Sequence, residues 1–474
     1  MWTRRESRPI LYRLARFVIG TALRVFFSKI DVRHGDVVPD RGPVVFVANH
    51  PNSIMDPLVL GAVTKRKVNY IAHAGLFRNP VIRWFLRGCG VIPVYRRQDD
   101  PDKMDQNVRM FEECTNALEN GESIGIFPEG TSDVVRKVKK VKTGAARIIL
   151  ETEAKHDYKL GVKLIPVGLH FYSISHFRSR VLVNFGEPIE LEPYFEKHKA
   201  EGFEGVRALT EEIEKRLMEL TVNVRDEELD QFVYDIEQIY KDELRTIKGR
   251  GKTLLDKAYR EQFVISKAIA ECVQYYHDHD PQRLDDMREK VAAYKRKLKK
   301  LHLRDAMLRE SMSPREIWKQ AGRAYALAIL GFVPALYGII NNFIPYRIAE
   351  ICGRHFLYER TKILSALLIG GGAAFLFFYT VQTAVVTQLT TPLIGLAYLA
   401  SLPVFGFFAL AYIHRLRELN KKISFSFFLF TNRPMIARMR RQRRMLIQKM
   451  NEIRDEYVNT IQKQQADQRQ PVSQ

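Results

Sequence analysis

The segment Asn49-His-Pro-Asn-Ser-Ile-Met-Asp56 holds an imidazole and a carboxylate in one short stretch, directly after the apolar run Val44–Val47. If that run is a buried strand of a parallel sheet, His50 lies at the strand end, where such sheets place their ligands. A carboxylate that accepts one imidazole N–H fixes the tautomer and leaves the other nitrogen as a base. On local pattern alone the pair is either catalytic or a capping or loop histidine beside an acid. Four further segments carry candidate groups. Gly90-Val-Ile-Pro-Val-Tyr-Arg96-Arg97 ends an apolar run with two guanidiniums, which match phosphate bidentately, with solvated edge charge as the alternative. Phe127-Pro-Glu-Gly-Thr-Ser132 makes a tight turn whose Glu129, Gly130, Thr131 and Ser132 can present polar groups to a ligand. Lys142 follows the basic residues Arg136, Lys137, Lys139 and Lys140, and Gly144 opens a predicted helix, so the helix dipole and Lys142 could both face a phosphate. Ile165-Pro-Val-Gly168 reads as an apolar strand broken by proline, a possible wall for something greasy.

In this order, these motifs resemble those of the glycerolipid acyltransferase family, the PlsC-like enzymes that acylate glycerol-3-phosphate and lysophosphatidate. The resemblance covers roughly residues 40–190, about a third of the chain. It implies acyl transfer from acyl-CoA or acyl carrier protein to a glycerol hydroxyl, with no cofactor beyond the acyl donor and no metal. His50 matches the catalytic base and Asp56 its orienting acid. Arg96, with Arg97 beside it, resembles the family's phosphate-binding arginine. Asn52, Glu129, Gly130, Thr131 and Ser132 would contact substrate, Lys142 would be a second phosphate contact, and Pro166 matches the fourth motif. Five residues separate His50 from Asp56, one more than the usual family spacing. The longer spacing resembles the fungal-type glycerol-3-phosphate acyltransferases. The expected reaction is therefore acylation of the sn-1 hydroxyl of glycerol-3-phosphate or dihydroxyacetone phosphate in phospholipid synthesis. The alternatives are sn-2 acylation of 1-acylglycerol-3-phosphate, or a non-catalytic lipid-binding or membrane-remodelling protein.

The elements that must hold these residues follow from periodicity. Strand-like runs at Pro43–Ala48, Val68–Ala72, Ser123–Phe127, Val162–Phe171 and Ser179–Phe185 alternate with helix-length segments. That alternation predicts an α/β domain over 35–200, a mixed sheet flanked by helices. Residues 201–320 turn helical, with stripes such as Val206-Leu209-Ile213-Leu217 and Met287-Val291-Tyr294-Leu298 that predict a hairpin or small bundle.

The remainder points to a membrane. The runs 363–387 and 393–413 are long and uncharged, and at about 1.5 Å per residue the first exceeds a hydrocarbon core of ~30 Å. Both are predicted to cross, within a membrane region 321–414. The run 325–344, interrupted by Pro334, Asn341-Asn342 and Pro345, is expected to be re-entrant or in-plane. Residues 1–34 predict a basic amphipathic helix on the membrane surface, with a helix docked on its own domain as the alternative; no small-residue cleavage site suggests a secretory signal. Lys plus Arg number 75 against 54 Asp plus Glu, a net charge of +21 that calls for an anionic partner. Beside apolar spans, anionic lipid is expected rather than nucleic acid, with the basic tail 415–474 and the catalytic domain cytoplasmic. A bacterial inner membrane is expected, or endoplasmic reticulum in a eukaryote; the sequence sets no oligomeric state. Four scattered cysteines argue against a disulfide scaffold, and His277-Asp-His-Asp280 precedes Pro281 at a helix end rather than forming an expected metal site.

Overall fold

The computed structural model describes residues 9–469 apart from 97–98, 134–135, 174–176, 248–253, 302, 304, 306–307, 309–313 and 356–361. Two compact units partition the chain: one formed by residues 1–222 with 348–374, the other by 223–347 with 375–474.

In the first unit, seven strands form one mixed sheet in the order β1-β7-β6-β2-β5-β3-β4. They are β1 (Lys29–Arg33), β2 (Val44–Ala48), β3 (Val68–His73), β4 (Ile92–Val94), β5 (Ser123–Ile126), β6 (Lys163–Phe171) and β7 (Arg180–Phe185). β2 is central, parallel to β5 and β6, and all its residues are buried. Side chains of a strand alternate between faces, so a strand covered on both sides must be apolar throughout. Val45 and Val47 join a core closed by α4 (Asn107–Glu119), α5 (Gly144–Lys155) and α7 (Gly202–Leu220). Val44, Phe46 and Ala48 join the opposite core, closed by α1 (Pro9–Phe26) and α2 (Met55–Val63). α3 (Pro80–Gly88) precedes β4, and α6 (Glu192–Ala200) precedes α7.

Two strands escape the sequence pattern. β1 lies in the stretch assigned to the N-terminal helix, and the three-residue β4 is too short to show alternation. The fourth motif also departs from expectation, because β6 runs unbroken through Pro166, which pairs with Val47 of β2 and accepts the Gly186 N–H at its carbonyl. Pro166 is buried against Gly186 instead of lining an opening. α1 is docked on its own domain along part of its length. Leu23 and Phe26 are in the sheet core, whereas Ile10, Leu14, Phe17 and Val18 are exposed. Arg16 donates to the carbonyls of Thr64 and Lys65 at the end of α2.

The second unit is helical. Its bundle contains α8 (Glu227–Ile247), α9 (Leu254–His279) and α10 (Pro281–Lys300). Asp280 caps α10 by accepting the Arg283 N–H, which gives the His-Asp-His-Asp run a structural use. α11 (Pro314–Leu330) leads to α12 (Phe332–His355), then α13 (Ile363–Leu389), α14 (Pro392–Thr431) and α15 (Arg433–Arg469); α12 and α13 each contribute to both units. Two helical segments, Ile363–Leu389 and Pro392–Arg417, are long and apolar enough to cross a membrane. The first turn of α13 is also part of the sheet unit, with Leu364 fully buried in its core.

The interruption near 325–344 falls elsewhere than the prolines suggested. The chain bends by 59° between Ala321–Leu330 and Phe332–His355, at Gly331, where an added Cβ would lie 2.7 Å from the Tyr412 ring. Pro334 sits in the first turn of α12, where a missing N–H costs little. Pro345 lies inside α12 and leaves the Asn341 carbonyl without its helical donor; Gln382 Nε2 supplies one at 3.1 Å. Asn341 and Asn342 do not break the helix, because their side-chain oxygens accept from Tyr398 and Tyr379 at 2.6 and 2.7 Å. The basic tail is partly consumed inside the fold: Arg443 is buried with Asp305 at 3.0 Å, and Lys449 pairs with Asp286 at 2.5 Å.

Candidate active site

His50 leaves the end of β2 as expected, and the turn that follows brings Asp56 back to it. Ser53 takes a left-handed φ of 47°, Met55 N–H bonds to the Asn52 carbonyl, and α2 then begins with Asp56 in its first turn. The longer His–Asp spacing is absorbed by this turn. His50 Nδ1 and Asp56 Oδ2 lie 2.7 Å apart. The same oxygen accepts the Asn52 backbone N–H at 2.8 Å, and Asp56 is 0% exposed. Burial pushes the Asp56 carboxyl above its ordinary range, while the hydrogen bond from His50 pulls the other way. The His50 ring stacks on Phe127, with centroids 4.4 Å apart and planes 20° apart.

Glu129 contacts main chain through both carboxylate oxygens. Its Oε1 accepts the His50 backbone N–H at 3.0 Å and its Oε2 accepts the Lys139 N–H at 3.2 Å. It therefore ties the loop after β5 to the loop after β2. Burial raises its pKa too, against these two hydrogen bonds. Gly130 has a φ of 73°, and a Cβ built there would lie 2.6 Å from Lys142 Nζ. Lys142 is thus laid across the motif's glycine at the start of α5. Thr131 Oγ1 receives Lys139 Nζ at 3.4 Å, and Ser132 is part-exposed in the same loop.

Asn52 is wholly buried, and neither end of its side-chain amide has a hydrogen-bond partner among the described residues. Such an amide is costly unless something else satisfies it. Arg96 follows β4 at the sheet edge, three strand positions from β2, or about 14 Å at the usual inter-strand spacing. Its guanidinium makes no hydrogen bond or ion pair among the described residues. Arg97 lies outside the described residues. Thus His50, Asp56, Asn52, Glu129, Gly130 and Lys142 form one cluster, Arg96 stands at a distance along the sheet edge, and Pro166 is a packing residue.

Sequence reasoning missed three supports. Asn49 bridges to β6, its side chain donating to the Leu169 carbonyl at 3.0 Å and accepting the Leu169 N–H at 2.7 Å. Phe127 backs the imidazole, and the Lys139 backbone completes the Glu129 clamp. Asn49 and Phe127 lie inside motifs and Lys139 in the basic run before Lys142, but their roles depend on partners that no local pattern names.

A histidine–carboxylate pair at a strand end, over a sheet closed by helices, is an arrangement suited to general-base chemistry. Residues 29–170 match the family model described as Acyltransferase, so this stretch is an acyltransferase-family domain. The chain is 25% identical over 396 residues to glycerol-3-phosphate O-acyltransferase 1 of Saccharomyces cerevisiae, covering 64% of this chain and 50% of that one. It is 29% identical over 144 residues to the chloroplastic 1-acyl-sn-glycerol-3-phosphate acyltransferase LPAT1 of Arabidopsis thaliana, covering 30% and 36% of the two chains. The crystal structure of the 1-acyl-sn-glycerophosphate acyltransferase PlsC from Thermotoga maritima matches with a TM-score of 0.32 and 22% identity, over 44% of this chain and 80% of that one. The chain spans about half the length of the yeast glycerol-3-phosphate acyltransferase it matches.

Proposed function

We propose that this protein transfers a fatty acyl group from acyl-CoA or acyl carrier protein to the sn-1 hydroxyl of glycerol-3-phosphate or dihydroxyacetone phosphate. The observation that carries this reading is the 2.7 Å His50–Asp56 contact with its carboxylate fully buried. Asp56 accepts Nδ1–H, so Nε2 is the base. As the acceptor hydroxyl attacks the thioester carbonyl, Nε2 takes its proton, and the tetrahedral intermediate then collapses with departure of the thiolate, which is protonated from the imidazolium. No acyl-enzyme is needed, and the sequence of steps requires no resident cofactor or metal. The buried Asn52 amide supplies polar groups for a bound substrate or water. Lys142 in the His50 cluster holds the acceptor's phosphate, with the Arg96 side chain reaching toward it from the sheet edge, so binding energy remote from the reacting atoms positions the hydroxyl.

The two apolar helices support membrane association. Leu364 joins the first turn of α13 to the core of the domain, and in this reading the catalytic unit works at the surface of the lipid its product enters. In this reading the domain is cytoplasmic, and basic groups of α14 and α15 not paired internally meet anionic lipid. Acylation at sn-2 of 1-acylglycerol-3-phosphate is the second reading, favoured by the likeness of the domain alone to the plant enzyme.

The test is direct. Purified protein in lipid is offered labelled acyl-CoA or acyl carrier protein with glycerol-3-phosphate, dihydroxyacetone phosphate or 1-acylglycerol-3-phosphate. Monoacyl product from the first two acceptors supports the proposal, and product only from the third establishes the second reading. Near-normal turnover by His50→Ala would remove the general base from the mechanism.

A further inference from the structure

The helical unit holds an open-mouthed cavity of about 320 Å³. Phe232 and Ile236 of α8, Ile265 and Ile269 of α9, Met287 of α10 and Ile453 of α15 supply its walls. These walls are almost all hydrocarbon. Water in such a space lacks hydrogen-bonding partners, and an empty space costs stability in proportion to its volume. The lining runs along α9 from Val264 to Tyr276, about 18 Å at the helical rise, which suits one extended long acyl chain. Val264 and Val458, both lining residues, are 47% and 41% exposed, so the space opens to the outside between α9 and α15.

One end carries two arginines, each beside a carboxylate. Arg283, in the first turn of α10, lines the cavity, lies 5.4 Å from the centroid of the Tyr276 ring and pairs through Nη1 with Glu456 at 2.6 Å. Its other guanidinium N–H groups make no hydrogen bond among the described residues. Arg454 also lines the space but is engaged by Asp455 and the Tyr240 hydroxyl. A lone hydrocarbon would make no use of the guanidinium at the mouth beyond its pair with Glu456, and a two-chain lipid would overfill a space of this length and volume.

We propose that the helical unit binds one acyl chain bearing an anionic head, a long-chain fatty acid or a lysophospholipid, with the tail between α9 and α15 and the head on Arg283. The site is built entirely from the second unit and does not depend on the reaction assigned to His50. The ligand's anion competes with Glu456 for the same guanidinium, so the two mouth residues have opposite effects: Glu456 weakens binding and Arg283 supports it.

The experiment uses the full-length His50→Ala protein, so that no probe is turned over, with photoreactive palmitate, photoreactive 1-acylglycerol-3-phosphate and a photoreactive neutral monoacylglycerol. Crosslinks are mapped by mass spectrometry. The anionic probes are expected to mark Val264–Tyr276 and Met450–Val458 and to be displaced by unlabelled ligand. Arg283→Ala should lower their apparent affinity about tenfold, as loss of a charge-assisted contact does, and leave the neutral probe unchanged. Glu456→Gln should raise anionic affinity. Ala268→Trp, which places an indole at an exposed lining position, should block all three probes. The relative labelling by carboxylate and phosphate probes assigns the head. Labelling confined to 363–417, or equal affinities for charged and neutral probes in all mouth variants, overturns the proposal. Arg283 is half-buried and Glu456 exposed, so their opposed shifts remain readable even if Ala268→Trp fails to fold.

Discussion

Oε1 of Glu129 accepts the backbone N–H of His50 at 3.0 Å, so the acid of one motif fixes the base of another. Oε2 holds the Lys139 N–H, so both carboxylate oxygens are engaged by main chain. Glu129→Gln replaces one acceptor by a donor. It should lower kcat by about 10–100-fold with a smaller change in acceptor KM, since it disturbs the placement of His50. Steady-state kinetics with the acceptor varied would decide; a pure KM effect would make Glu129 a substrate ligand.

Asp56→Asn separates activity from stability. The amide cannot hold the imidazole in the same tautomer and charge state, so turnover should fall by about 10²–10⁴-fold. Burial raises the folded pKa of Asp56, so its favourable contribution belongs to acid pH and is lost as pH rises through that folded pKa. The variant's Tm at pH 7 should therefore equal or exceed that of the parent, and the difference should shrink toward pH 4. A large loss of Tm at pH 7 would show that the charged pair stabilises the fold.

Gly130→Ala should be damaging for two reasons. Its φ of 73° costs an L-residue roughly 1–2 kcal/mol, and the new methyl would meet Lys142 Nζ at 2.6 Å. The lysine must move, so acceptor KM should rise. Arg96→Ala should raise the same KM through loss of a contact of about 1.5–3 kcal/mol. If both variants leave acceptor kinetics unchanged, the phosphate binds elsewhere.

His170 predicts an acid limb. Desolvation, then the neighbouring Arg136 and Arg33, lower its pKa to about 3. A histidine held neutral in the fold contributes stability above its unfolded value near 6.5 and loses it as pH falls below that. Thermal melts of His170→Gln and the parent between pH 7 and 4.5 should diverge, with the parent losing more Tm. Parallel curves would mean that His170 protonates freely in the folded protein.

The proposed topology has α13 and the apolar part of α14 crossing, both flanks inside and Thr390 outside. Single cysteines at Arg354 and Thr390, with native cysteines replaced, should react with an impermeant thiol reagent outside only at Thr390. The reverse pattern would require the bent pair around Gly331 to cross instead.

Much of the site can be read locally because its signals are local. An apolar run ending in His50, a Pro-Glu-Gly turn, a glycine opening α5 and two uncharged helices each follow from composition and period within a few residues. The mixed-sheet class follows from their alternation. What the tertiary structure decided is which of these meet. Strand order places β5 and β6 on either side of β2, so Glu129 reaches the His50 amide and Asn49 reaches Leu169, while Arg96 is carried to the edge with β4. No spacing rule fixes that order, because hydrogen bonding between strands is indifferent to their separation in sequence. The same holds for the helices. Pro345 looks like a break until Gln382, 37 residues later, supplies the donor its helix lacks, and Arg443 looks like a lipid contact until Asp305 neutralises it in the interior. Sequence shows what each residue can bond; only the packed chain shows with whom, since buried polar groups are satisfied by whatever the fold brings near.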